Sequence, residues 1–249
     1  MRAVVAILRV SLRQALGGKR VLALGLLGII PALVMVLSSR NLSADAAVDQ
    51  FHEAPYAILF LMVLPICALV IGSGAMGDER RDGTLSFLLL RPIPRSLIVA
   101  TKLLAAWLAA TAVVALSGIA AVIALGARSG DYSPLVPLII AVAISTAAYT
   151  SVFMLLGHLT SRAVLIGLVY VFIWESSITF AAPALANVSL FRIGITAYAA
   201  MVPVPPDLSD VLGNLQPGTW GAIAKVVVIA VIAIAALASL LGRRDAVSE

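Results

Sequence analysis

Six stretches of this chain stay apolar for about as long as a helix needs to cross a lipid bilayer. They cover residues 21–37, 55–76, 97–125, 135–156, 163–182 and 221–241, with lengths of 17, 22, 29, 22, 20 and 21. Barrel strands alternate apolar and polar over about 10 residues. These runs do not alternate, so the expected fold is an all-α membrane protein with six transmembrane helices. The third run exceeds what an upright helix requires at about 1.5 Å per residue, so it must tilt or project beyond the bilayer. Composition agrees. Hydrophobic residues make up 62% and charged residues 12%, against about 45–50% and about 25% in soluble domains. With no internal repeat and no low-complexity linker, the whole of 1–249 is expected to form a single membrane domain.

A net charge of +5 on a soluble chain would suggest nucleic acid as a partner. Here the distribution of the charge is more informative, and nucleic acid is not expected. Thirteen Lys and Arg residues fall in segments on one side of the six runs, and three on the other, Arg40, Arg128 and Arg192. Lys225 lies inside the last run, where its stem is expected to snorkel outward. By the positive-inside rule both termini are expected in the cytoplasm. The basic leader is long and five runs follow the first, so that run is expected to be a retained span, not a cleaved signal.

Residues 1–18 precede the first run. Arg2, Arg9 and Arg13 fall in one stripe at helical spacing, and Val5, Leu8, Leu12 and Leu16 flank it. That pattern suits a helix lying in the interface, and Gly17 and Gly18 permit a sharp turn into the first span.

The segment 77–102 is the richest in signals. It carries Asp78, Glu79, Arg80, Arg81 and Asp82 in a row, then Gly83, Thr84 and Leu85, an apolar stretch 87–90, and Arg91-Pro92-Ile93-Pro94-Arg95. Asp78 is expected to cap a short helix starting at Glu79. Leu85, Leu88 and Leu89 share a helical face and need a protein or lipid surface to cover it. The two prolines end that element and start the third span.

This stretch resembles the ABC transporter permeases of the second type. Their loop after the second span runs E-R-x-x-G-T-L, an apolar stretch, P-x-x-R and a Lys, matched by Glu79, Arg80, Gly83, Thr84, Leu85, Pro92, Arg95 and Lys102. Pro94 stands where such sequences usually carry a small polar residue. The amino-terminal basic helix, the six runs and the segment Tyr170-Val-Phe-Ile-Trp174-Glu175 are similar too.

The resemblance implies a bacterial exporter subunit in the plasma (inner) membrane. It implies an elbow helix over 1–18, a cytoplasmic coupling helix within 77–96, and a separate ATPase chain that binds ATP and Mg. A second permease chain, identical or not, would complete the transporter. Residues 79–85 would face the ATPase: Glu79, Arg80, Arg81 and Asp82 through salt bridges, Gly83 as a turn, with Thr84 and Leu85 beyond it. The family places spans two and five at the dimer interface, which makes Phe60, Met62, Ile66, Trp174, Glu175 and Thr179 candidates for the translocation path.

Other chemistry finds little support. No Gly-rich loop ends in Lys-Ser or Lys-Thr, so this chain is not expected to hydrolyse ATP or to hold a cofactor of its own. His52 and His158 stand alone on opposite sides, so no metal site is expected. Gly72-Ser73-Gly74 suits close helix packing better than a protease nucleophile. Glu175 falls about 18 Å into the fifth run, where an ionised acid is costly and must face a partner or a wet cavity. Ser176, Ser177, Thr179 and Lys225 are the partners the sequence offers. An ion-coupled carrier with Glu175 as its proton site, or a membrane assembly protein that moves nothing, are the alternative functions. Residues 183–220 hold five prolines, and within them 188–202 are expected to form a short re-entrant or interfacial helix on the outer side.

Overall fold

The computed structural model describes residues 2–83, 93–178, 189–202 and 218–245, which form an all-helical bundle. Thr84, Leu85 and Thr179 lie outside the described residues, as does the rest of the apolar stretch to Leu90. Among the described residues, five helices are long and apolar enough to cross a membrane, and two shorter apolar helices accompany them.

The amino-terminal helix α1 (Arg2–Ala15) packs along α6 (Arg95–Ser129) and touches α5 (Leu64–Arg81). Gly18, at φ +80°, then turns the chain into α2 (Lys19–Gly28). The first apolar run, expected to be continuous, is interrupted at Ile29 before α3 (Ile30–Ser38). The cause is Pro31, which brings no N–H to the second position of α3 and crowds the carbonyl four residues back. Ser117 Oγ of α6 donates to the Gly28 carbonyl at 2.6 Å and so steadies the break. At the far end, Arg128 donates to the Ser39 carbonyl at 2.8 Å and also to that of Arg40. A cation there meets the negative end of α3.

The second run lies in a helical stretch far longer than itself. It comprises α4 (Ala44–Ile58), a π-helical turn Leu59–Val63, and α5. The α6 helix begins at Arg95, directly after Pro94, and ends at Gly130 with φ +74°. Glycine is favoured in that left-handed cap. Its 35 residues extend past any bilayer core.

The hub is α7 (Leu135–Leu159), which packs against α5, α6, α9 (Leu190–Ala199) and α10 (Gly218–Asp245). A helix buried on several sides must present small or self-satisfied side chains. Ser145, Thr146, Thr150 and Ser151 each donate to the carbonyl four residues back, at 2.6–2.8 Å. That leaves them compact and without a stray donor. Between α7 and α9 the chain forms α8 (Ala163–Val169) and a π-helical segment Tyr170–Ile178. Outward faces are apolar: Leu22, Leu26 and Leu33 on α2 and α3, and Val227, Val228 and Val231 on α10. Apolar outer faces suit a lipid solvent.

Candidate functional site

Contacts between helix ends bring Arg20, Arg80, Arg81 and Lys102 to one end of the bundle. The start of α2, the last turn of α5, the start of α6 and the last turn of α7 meet there. The α5–α7 crossing sets the spacing. A Cβ on Gly157 would lie 2.2 Å from the Ser73 carbonyl oxygen, and one on Gly77 2.9 Å from the Gly157 carbonyl. Only glycine lets the two backbones approach so closely, and Ser73 is part of that seam.

Past this seam α5 simply continues. Asp78 does not cap a new helix, contrary to the sequence expectation. It sits inside α5, and its carbonyl accepts the Asp82 N–H at 2.8 Å as the helix ends. Gly77 serves close packing there and does not break the helix. Gly83 follows at φ +68°. Four consecutive charges on a helix point about 100° apart, and each finds a different neighbour.

Asp78 Oδ2 accepts from Arg20 of α2 at 2.5 Å, and its other oxygen from Arg81. Glu79 pairs with Lys102 of α6, whose ammonium also donates to the Ala75 carbonyl at 3.1 Å. The Lys102 side chain is only 2% exposed and that of Glu79 16%. Arg80 donates to the His158 carbonyl at the end of α7. That carbonyl is one a helix terminus leaves without an intrahelical donor. Of the charged residues expected to face an ATPase, Glu79, Arg80 and Arg81 thus have partners inside the chain. Asp82 is exposed and makes no ion pair with another described residue.

A second polar centre surrounds Glu175, 2% exposed. Among the described residues its donors come from Tyr170 and from the start of α9, while the side chains of Ser176 and Ser177, and Thr179, lie outside the described residues. Oε1 accepts from the Tyr170 hydroxyl at 2.8 Å and the Leu190 N–H at 2.9 Å. Oε2 accepts from the Ser189 hydroxyl at 2.5 Å and the Phe191 N–H at 3.3 Å. Ser189 is the N-cap of α9 and accepts the Arg192 N–H. A carboxylate here both satisfies orphan N–H groups and meets the positive end of the helix. Lys225 is exposed on α10.

The two π-helical segments touch each other, and Leu59–Val63 also touches α9. Phe60 is buried, its ring 4.6 Å from that of Tyr56. Tyr56 stacks on Tyr198 of α9, and His52 Nε2 lies 3.0 Å from the Tyr198 hydroxyl. Met62 is exposed, while Ile66 and Trp174 are half-buried. So Phe60 and Glu175 contribute to one packed junction around α9, and Met62 faces outward. The residues missed in the sequence are Arg20, Ser189 and Tyr198, and Tyr170 was read as part of a motif without its bond to Glu175. The His52, Tyr56, Phe60 spacing of four was the available signal for Tyr198.

Comparison with known families bears on both centres. The chain matches the ABC-2 family of transporter proteins over residues 5–246. It belongs to that family. Compared with curated proteins it has no significant match. As an ABC-2 permease it is a multi-pass membrane component of a transporter, and the family match runs through both the ion-paired end of α5 and the Glu175 centre.

Proposed function

We propose that this permease is the membrane half of an ATP-driven exporter. ATP and Mg are bound by a separate cytoplasmic ATPase. The chain crosses the plasma membrane six times, the fifth crossing formed by α8 and the π-helical segment after it. Both termini lie in the cytoplasm, α1 acts as an elbow, and two permease chains form the transporter. Residues 77–96 are the coupling element.

The observation that carries this reading is the set of ion pairs at the end of α5. Glu79, Arg80 and Asp78 bind that end to α6, α7 and α2, and Arg81 braces Asp78 from within α5. A push delivered at Asp82, Gly83 and the residues beyond is thereby shared by three helices. The docking surface is then Asp82 onward, while the preceding charges are anchors. ATPase closure would tilt α5 and α6 together and open a path outward between protomers.

The test is a reconstituted complex of the permease with the ATPase that co-purifies with it. Asp82→Lys should weaken ATPase binding and leave the permease folded. Lys102→Met should keep the ATPase bound yet lower export per ATP hydrolysed. If no ATPase co-purifies, or if both variants export normally, the coupling role is wrong.

A further inference from the structure

A cleft of about 730 Å³ opens at the basic end, between α1, α5 and α6. We propose that it holds a zwitterionic aminophospholipid from the leaflet on that side, with its phosphate at Lys19 and Arg20 and its ammonium at Asp82. The lipid would hold Asp82 in the permease without its ATPase, and a docked ATPase would compete with it for that carboxylate.

The size suits a headgroup with the first part of its chains, since small-ligand sites measure roughly 300–1,000 Å³. Its walls divide by polarity. Leu24, Val70, Ile71 and Ala106 belong to the apolar part, and charged residues of both signs stand among the rest of the lining. An apolar wall beside charges is the division an amphiphile presents. The lipid surroundings of α2, which exposes Leu22 and Leu26, supply such a molecule.

The charges select the headgroup. Among the lining residues, Arg20 and Arg81 share Asp78, and Lys102 is paired with Glu79. That leaves Lys19 and Asp82, both exposed and neither paired with another described residue. One spare cation and one spare carboxylate match a phosphate joined to a primary ammonium. A headgroup with phosphate alone would leave Asp82 facing an anion. A choline group carries no N–H to give the carboxylate. Arg20 uses one N–H on Asp78 and has others to give a phosphate oxygen. The side chains of Ser11 and Gln14 of α1 also line the cleft and make no hydrogen bond to another described residue. They are placed to serve the ester oxygens. The bound lipid would join α1 to the end of α5.

The experiment uses the purified full chain in phosphatidylcholine nanodiscs doped with phosphatidylethanolamine carrying a photoreactive acyl chain. Adducts should concentrate at 70–75 and at Leu24. They should fall about tenfold there in Lys19→Gln/Asp82→Asn, the factor that corresponds to about 1.4 kcal/mol of lost binding. Adducts on the lipid-facing side of α10, at Val227 and Val231, should not change, which also shows that the variant is folded in the bilayer. The same probe built on phosphatidylglycerol or phosphatidylcholine should label the cleft at the lower level. Equal labelling by all three headgroups means general lipid contact and overturns the proposal. Displacement by soluble phosphoethanolamine or inorganic phosphate at modest excess would mean a site for a free anion, and overturns it as well.

Discussion

Two buried residues hold the molecule's polar centres, and they differ in what their loss should do. Glu175 accepts four hydrogen bonds at the junction of the π-helical segment and α9. Glu175→Gln keeps the shape but turns one acceptor into a donor facing donors. We expect a loss of about 2 kcal/mol of stability, with faster hydrogen exchange of the 190–193 amides. Export lost with unchanged exchange would instead assign the carboxylate to the path. Lys102 is a different case, because its partner carries charge. Lys102→Met removes the Lys102 cation from a largely buried ion pair with Glu79, and should cost about 3 kcal/mol, the low end for such pairs given the residual exposure of Glu79. The double variant Lys102→Met/Glu79→Leu should recover most of that loss. A thermal-melt cycle in detergent reads both, and a double variant as unstable as the single one would show that the pair is not the cause.

At the scale of elements, the close α5–α7 crossing makes its own prediction. Gly157→Ala would set a methyl 2.2 Å from the Ser73 carbonyl oxygen, which belongs to backbone and cannot swing away. The helices must separate, at a cost of about 1–3 kcal/mol. Gly25→Ala is the control, since a Cβ there meets nothing within 4 Å. The control should melt no lower than the parent, and equal losses in both would sink the packing account.

The all-helical fold followed from apolar run length, because lipid leaves a chain few other options, and five of the six expected runs lie in helices long enough to span. The break at Ile29 had a visible cause in Pro31. The π-helical segments had none. Their i→i+5 repeat brings Tyr170 beneath Glu175, two residues that an α-helix would set on different sides. The partners of the charged run were hidden for a related reason. Which way Asp78, Glu79, Arg80 and Arg81 point depends on α5 continuing unbroken, and the sequence expectation restarted the helix at Glu79. Lys102 was visible as part of a motif, but its burial depends on α6 lying against α5.

For the whole molecule the governing quantity is the asymmetry of charge. Thirteen cations against three would be costly to place with the basic end outward, since the larger set would have to cross the membrane during insertion. Helix-end contacts agree with that sorting: Arg20, Arg80, Arg81 and Lys102 gather at one end, and Arg128 meets Ser39 and Arg40 at the other. The single cysteine, Cys67, is buried, so Cys67→Ala supplies a background without reactive thiols. In it, Asn41→Cys and Asp131→Cys should react with a membrane-impermeant maleimide on intact cells. Arg9→Cys and Asp82→Cys should react only after the cytoplasmic side is opened. Labelling of Asp82→Cys on intact cells would invert the topology. It would also remove the coupling role, because an ATPase in the cytoplasm could not then reach the end of α5.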